Sequence, residues 1–460
     1  MDTVDVAIVG GGPAGSSAAL GAVENDATTV VLEKGVPRSD RDDLGPDSTD
    51  AAGFLDYWVD IAGLDPTDLP QSVIEQVLDG AEFHGPTEEL YLSETGMPAS
   101  YPHFGFTFHR AKFDDWLRSR AETAGAEYRV GSSVQSVETD VRGDPTHVLV
   151  LANGEEIRAD TLVLADGPQR QVTMSVLDSY LPEDRSASTV LSPRTANHIA
   201  YQEYRQFPDR IFDRDRLKFW WGWIPGHTAY PWVFPNRDGV ARVGLTTPIG
   251  LTMSDCTRPT DYPLVHSDDE RLPSPREYVR RLLDRLYGDE YDIESDFPIQ
   301  ETGYGKDDGT ETYPISSTRP IDSPTKLDVA VVGGAMGATS AFHEGGDHVA
   351  MRTGALAGTL AAKGRLDAYN DAWKDAIGDE VLRNVSMAQV VRDYTPEDWD
   401  RAISIARTLQ KRKSAGVPTV STALSVGFPG VRLLGAYWWQ KLRFGSGRYV
   451  QIAEEEYQIE

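Results

Sequence analysis

The stretch VDVAIVGGGPAGSSAALGAVENDATTVVLEK, residues 4–34, carries the decision about fold. Its apolar run at 4–9 reads as a strand, the glycines as a turn, the small residues from Pro13 as a helix and 29–32 as a second strand, which together make a βαβ unit. Gly10 permits the tight turn, Gly12 lets the backbone approach a pyrophosphate, and Gly15 allows close helix packing, while the helix N-terminus offers free N–H groups to phosphate. Glu33 follows Gly15 by 18 residues, where a carboxylate accepts hydrogen bonds from a ribose diol. A carboxylate there disfavours a 2′-phosphate, so NAD and FAD remain.

Outside this unit the totals set bounds. The chain has 460 residues, enough for two or three packed units. With 72 acidic against 44 basic residues the net charge is −28, which excludes the clustered positive charge that nucleic acid requires. Acidic groups are spread in runs such as RSDRDDLGPDSTD, residues 38–50, so a halophilic surface relieved by concentrated salt is expected over an ordinary acidic one. Cys256 is the only cysteine, so an intramolecular disulfide and a CxxC motif are both excluded, and redox chemistry has to come from a cofactor. No apolar run reaches the roughly 18 residues of a spanning helix, which leads to the expectation of a cytoplasmic protein.

Three further segments resemble the two-dinucleotide-fold flavoproteins. HRAKFDDWLRSRAETAGAEYRVGSSVQSV, residues 109–137, is similar to their pattern of Arg, Phe-Asp and a helix ending in Gly-Ala, which implies that Arg110 lies near FAD. ANGEEIRADTLVLADGPQR, residues 152–170, closes in Ala165-Asp166-Gly167, a flavin-domain landmark, with Arg170 and Thr173 where the family has Ser and Arg. DVAVVGGAMGATSAFHEGGDHVAMRTGALAGTLAA, residues 328–362, is a strand, a glycine loop and a small-residue helix, with Gly333-Gly334 in place of the family's Gly-Asp. Its HEGGDH spaces His343 and His348 five apart across two glycines, not at the i, i+4 spacing of a helical zinc site, so no metal is assigned. Gly346 and Asp347 are instead expected to open a helix facing the flavin. The FAD contacts that the resemblance implies are Gly10, Gly12, Ala14, Gly15, Glu33, Lys34, Arg110, Val134, Asp166, Gly167, Gly346 and Asp347.

KFWWGWIPGHTAYPWVFPNRDGVARVG, residues 218–244, is densely aromatic. Period-two alternation puts Tyr230, Trp232 and Phe234 on one face of a strand, to be read either as core or as the wall of an apolar site. The segment resembles the YxWxFP strand of the geranylgeranyl reductase family. That resemblance implies an FAD-dependent oxidoreductase that reduces carbon–carbon double bonds of isoprenoid lipids, with an external electron donor and with Trp221, Trp223, Tyr230, Trp232 and Phe234 as substrate contacts. Where the family often has Cys-Gly, this chain has Leu44-Gly45, and no residue is assigned as proton donor. WGWIP, residues 221–225, is one residue short of the halogenase signature, so an FAD monooxygenase or halogenase acting on another apolar small molecule is the alternative. An electron-relay flavoprotein or a non-catalytic lipid-binding relative is a further one.

The expected fold is α/β: a Rossmann-like FAD-binding domain in two parts, 1–170 and 301–370, an interleaved antiparallel β-sheet substrate domain at 171–300, and a helical C-terminal region at 371–460. In the last of these, GFPGVRLLGAYWWQKLRFGSGRYV, residues 427–450, sets Arg432, Lys441, Arg443 and Arg448 among Tyr437, Trp438 and Trp439. That mixture suits either a packed terminal helix or peripheral contact with the inner face of a membrane.

Overall fold

The computed structural model describes residues 2–36, 51–191, 197–301, 308–315, 318–414 and 427–458. Leu44, in the expected family position for a cysteine, and the acidic run at 38–50 lie outside them. The strand Asp2–Val9 is the centre of the first sheet, pairing in parallel with Thr29–Leu32 on one side and Glu156–Leu164 on the other. Glu127–Arg129 and Val329–Val331 extend it in parallel, and an antiparallel pair, Thr146–Leu151 and Val134–Asp140, completes seven strands. Val6 to Val9 are buried, as strands covered on both faces must be.

Two helices rich in small residues, Pro13–Val23 and Asp347–Ala362, cross against this sheet in backbone contact. A Cβ on Gly354 would stand 2.1 Å from the Ala14 carbonyl oxygen, and one on Gly358 1.9 Å from that of Ala18. Only glycine permits such an approach, and it brings the N-terminal ends of both helices to the same side of the sheet.

The second sheet also has seven strands, in the order Thr310–Ile315, His198–Gln206, Val240–Pro248, Tyr230–Pro235, Arg216–Trp220, Gly80–His84 and Glu89–Leu92. It thus reaches beyond 171–300 at both ends of the chain. It is also not wholly antiparallel, because Arg216–Trp220 pairs in parallel with Gly80–His84. An open edge at Arg216–Trp220 would leave a row of backbone groups unpaired, and the 80–92 hairpin satisfies them. On the outer face Val233, Val243 and Leu245 pack with Tyr278, Val279, Leu282 and Leu283 of the helix Pro275–Tyr287. The inner face carries Tyr230, Trp232, Phe234, Leu217 and Ala81.

A small third sheet, Gly53–Leu55, Gly105–Phe108 and Ile74–Leu78, joins the two halves with a phenylalanine-rich core around Phe54, Phe106, Phe108 and Phe113. Helices Tyr369–Val390, Pro396–Ser414 and Gly427–Phe444 follow in the C-terminal part. No helix among the described residues is long and apolar enough to cross a membrane.

Candidate functional site

Between the first sheet and the inner face of the second lies a cavity of about 1430 Å³. Its two ends differ in chemistry. One is built of glycine loops and charged groups, the other of aromatic rings.

At the polar end the turn after Asp2–Val9 presents Gly10, Gly11, Gly12, Pro13 and Ala14 to the cavity. Gly10 has φ +101°, and a Cβ there would sit 2.4 Å from the Ala165 carbonyl oxygen, so that position tolerates no side chain. Gly12 is different: its backbone is extended, and a Cβ would meet no protein atom within 4 Å. The space is a cradle in front of a helix N-terminus. Gly15 does not border the cavity; its Cβ would lie 1.9 Å from the Gly10 carbonyl oxygen, so it holds the helix against the turn.

Glu33 accepts from the Gly11 amide at 2.6 Å and the Gly35 amide at 2.7 Å, which fixes the carboxylate at the loop's edge. Lys34 donates to Gln169 at 3.0 Å across the mouth. Val134, Asp166, Gly167, Gly346 and Asp347 border the same space. Arg110 joins the distant segments: its guanidinium lies 2.8 Å from Asp114 and 3.3 Å from Asp347, the first residue of the second small-residue helix. Asp166 receives the Val172 amide at 2.8 Å, the Thr173 amide at 3.1 Å and the Thr173 hydroxyl, so it caps the helix Gln171–Asp178. Burial pushes its carboxyl pKa up, and those Thr173 and Val172 bonds work against the shift.

At the apolar end Trp221, Tyr230, Trp232 and Phe234 line the cavity. The Tyr230 and Trp221 rings stack at 4.4 Å, and Phe342 stacks on Trp221 at 5.3 Å. The Tyr230 hydroxyl donates to the His343 carbonyl at 2.8 Å and so ties the wall to the HEGGDH loop. Trp223 departs from the expectation. It packs in the outer core, and its indole N–H donates to the Gly85 carbonyl at 2.9 Å. Gly222, at φ +75°, turns the chain between the two tryptophans, so residues 221 and 223 no longer share a face.

Sequence reasoning missed Phe342, Thr312, Tyr313, Glu344 and Met387, which also line the cavity, and Trp399, which lies 4.6 Å from Trp221. Period-two parity signals Thr312 and Tyr313 only once their strand is known to lie beside His198–Gln206. At the end of HEGGDH, in the first turn of the helix Asp347–Ala362, His348 stacks on Trp58 at 4.3 Å and bonds Glu380 at 2.7 Å. Burial by itself would raise Glu380, but His348, His343 and Arg352 hold it down to about 2. Among the described residues no group of His, Cys, Asp or Glu is arranged to hold a metal.

A glycine cradle at a helix N-terminus, a fixed carboxylate at the end of the second strand and a second glycine loop across the cavity fit a bound dinucleotide such as FAD. Residues 5–89 match the FAD binding domain family. Over 419 residues the chain is 23% identical to digeranylgeranylglycerophospholipid reductase 1 of Methanosphaera stadtmanae, covering 89% of this chain and 90% of that protein. Its fold is similar to that of a geranylgeranyl bacteriochlorophyll reductase-like protein of Thermoplasma acidophilum, with a TM-score of 0.69, 21% identity and coverage of 96% and 98%. A flavin-dependent brominase is similar in fold at a TM-score of 0.61 and 16% identity, with 96% and 100% covered. The chain is an FAD-dependent oxidoreductase, similar in sequence to a digeranylgeranylglycerophospholipid reductase and in fold to a geranylgeranyl reductase-like protein.

Proposed function

We propose that the protein reduces carbon–carbon double bonds of isoprenoid lipid chains. The observation that carries this reading is the run of Trp221, Tyr230, Trp232 and Phe234 along the cavity that begins at the glycine cradle. An apolar chain seated there buries its length against aromatic faces and excludes water from the reacting end.

On this reading Gly10, Gly12 and Ala14 take the pyrophosphate at the helix N-terminus, with Gly15 keeping that helix in place. Glu33 takes a ribose, Lys34, Val134 and Gly167 border the cofactor, and Asp166 shapes the loop beside it. Arg110, Gly346 and Asp347 hold the far side, where the helix N-terminus favours negative charge. FAD, once reduced by an external electron donor, would supply the hydride.

Anaerobic photoreduction followed by mixing with an unsaturated prenyl lipid tests the proposal. Flavin reoxidation without oxygen, accompanied by saturated product, supports it. A product formed only with oxygen supports a monooxygenase or halogenase instead, and reoxidation by another protein alone supports an electron relay.

The lipid also favours a peripheral membrane contact. Trp438, Trp439 and Leu442 are 58%, 68% and 68% exposed on the helix Gly427–Phe444, with Lys441 and Arg443 beside them in an acidic protein. Flotation with anionic vesicles should carry the wild type upward and leave Trp438→Ser/Trp439→Ser behind. Equal flotation refutes the contact.

A further inference from the structure

Glu344 lies in the HEGGDH loop with φ +60°, a left-handed conformation uncommon for any residue but glycine and held only where the surroundings impose it. Glu344 borders the cavity beside the aromatic wall, with its side chain only 3% exposed and both carboxylate oxygens buried. His198, at the start of the strand His198–Gln206, places Nδ1 2.6 Å from Glu344 Oε1, and its side chain is 1% exposed. The approach is bent, so neither Glu344 oxygen and neither His198 ring nitrogen has an aligned hydrogen bond among the described residues. A buried carboxyl and imidazole left so poorly satisfied are costly unless they serve a purpose.

The other carboxylates bordering the cavity are occupied. Glu33 is held by two backbone amides, Asp114 and Asp347 by Arg110, and Asp166 by the helix it caps; Asp115 also has a partner. These belong to the polar end. Glu344 is the acid beside Tyr230, whose phenol feels its charge after the larger effect of burial. The groups facing the pair are Tyr230, His227, whose ring lies 5.1 Å from that of His198, and Arg392, which acts on His227. Burial, then the charges of His198 and Arg392, bring His227 down to about 4, so that ring is neutral near pH 7.

We propose that Glu344 is the proton donor to the double bond and that His198 restores the proton to it, an assignment that rests on the reductase reading above. The π pair of a trisubstituted double bond takes the carboxyl proton at its CH carbon. Positive charge then develops on the neighbouring methyl-bearing carbon, which would take the hydride that FAD supplies when bound and reduced. The carboxylate left behind recovers a proton from His198, and the imidazole is resupplied through half-buried His227. One hydride and one proton are added, and the flavin is the species oxidised.

The test uses Glu344→Gln and Glu344→Asp in the full chain. In flavin-free protein, the ring 15N signals of His198 should move in Glu344→Gln, as they must if the two side chains share a proton. FAD content, and quenching of tryptophan fluorescence by a saturated prenyl ether lipid, should match wild type in both variants. Anaerobic reoxidation by an unsaturated prenyl lipid should fall about 100-fold or more in Glu344→Gln, the usual worth of a placed general acid, and stay within about tenfold in Glu344→Asp. Unmoved His198 signals, a Glu344→Gln rate within about threefold of wild type, or a rate loss matched by lost lipid binding overturns the assignment. A wild type that no prenyl lipid reoxidises overturns the reductase reading itself, and the proton assignment falls with it.

Discussion

Gly12 and Gly15 stand three residues apart in one motif, yet the structure gives them opposite tests. Gly12 has φ −72° and ψ −170°, which any residue can adopt, and a Cβ there meets nothing within 4 Å. Gly12→Val should therefore leave the flavin-free protein as stable as wild type, within about 1 kcal/mol, since a compatible glycine replacement acts mainly by restricting the unfolded chain. The empty space is where the pyrophosphate would approach, so FAD affinity should fall about 100-fold or more, equivalent to about 2.7 kcal/mol. Gly15→Ala puts its methyl 1.9 Å from the Gly10 carbonyl oxygen, and reaching even the 3.0 Å that real Cβ atoms keep requires an opening of 1.1 Å (3.0 − 1.9) between helix and turn. Overpacking of that kind costs about 1–3 kcal/mol in the flavin-free protein. Urea denaturation without flavin gives the first quantity and fluorescence titration with FAD the second. The reasoning fails if Gly12→Val binds FAD as wild type does, or if it loses as much stability as Gly15→Ala.

Trp232→Ala enlarges an existing cavity, so it should keep normal flavin content and lose about 2–3 kcal/mol of prenyl-chain binding. A melting loss worth the about 3–5 kcal/mol of a sealed core site, with lipid binding intact, would show that the ring is only core. His147, His227 and His343 are each brought down to about 4, in every case by burial first. The unfolded chain binds these protons near 6.5 and the folded one only near 4, so stability is complete above pH 6.5 and falls as pH drops toward 4, by about 3 kcal/mol for each. Denaturation midpoints measured from pH 7 to 4 should show that slope, and His147→Gln should flatten it; an unchanged slope refutes the share given to His147. Finally, a net charge of −28 predicts a melting temperature that rises from dilute buffer to molar salt. Equal melting in both would remove the halophilic reading.

Residues 4–34 disclosed their strand, turn, helix and strand because each depends on local spacing: apolar runs, glycines at the turn, Pro13 at the helix start. Alternation likewise put Tyr230, Trp232 and Phe234 on one face, since strand parity is a property of the backbone. Parity failed two residues beyond the strand Arg216–Trp220, where the left-handed Gly222 parted Trp221 from Trp223. Whether the aromatic face met core or cavity was a question of what lies opposite, and only the crossing of the two sheets answered it. The same holds for the 80–92 hairpin in the second sheet, for the glycines Gly354 and Gly358 against Ala14 and Ala18, and for Arg110 between Asp114 and Asp347. Glu344 and His198 sit in segments with no shared pattern; their 2.6 Å separation arises because the loop before Asp347–Ala362 folds over the second sheet. Local geometry is written in neighbouring residues. Contact between distant ones is settled by packing, which no single segment records.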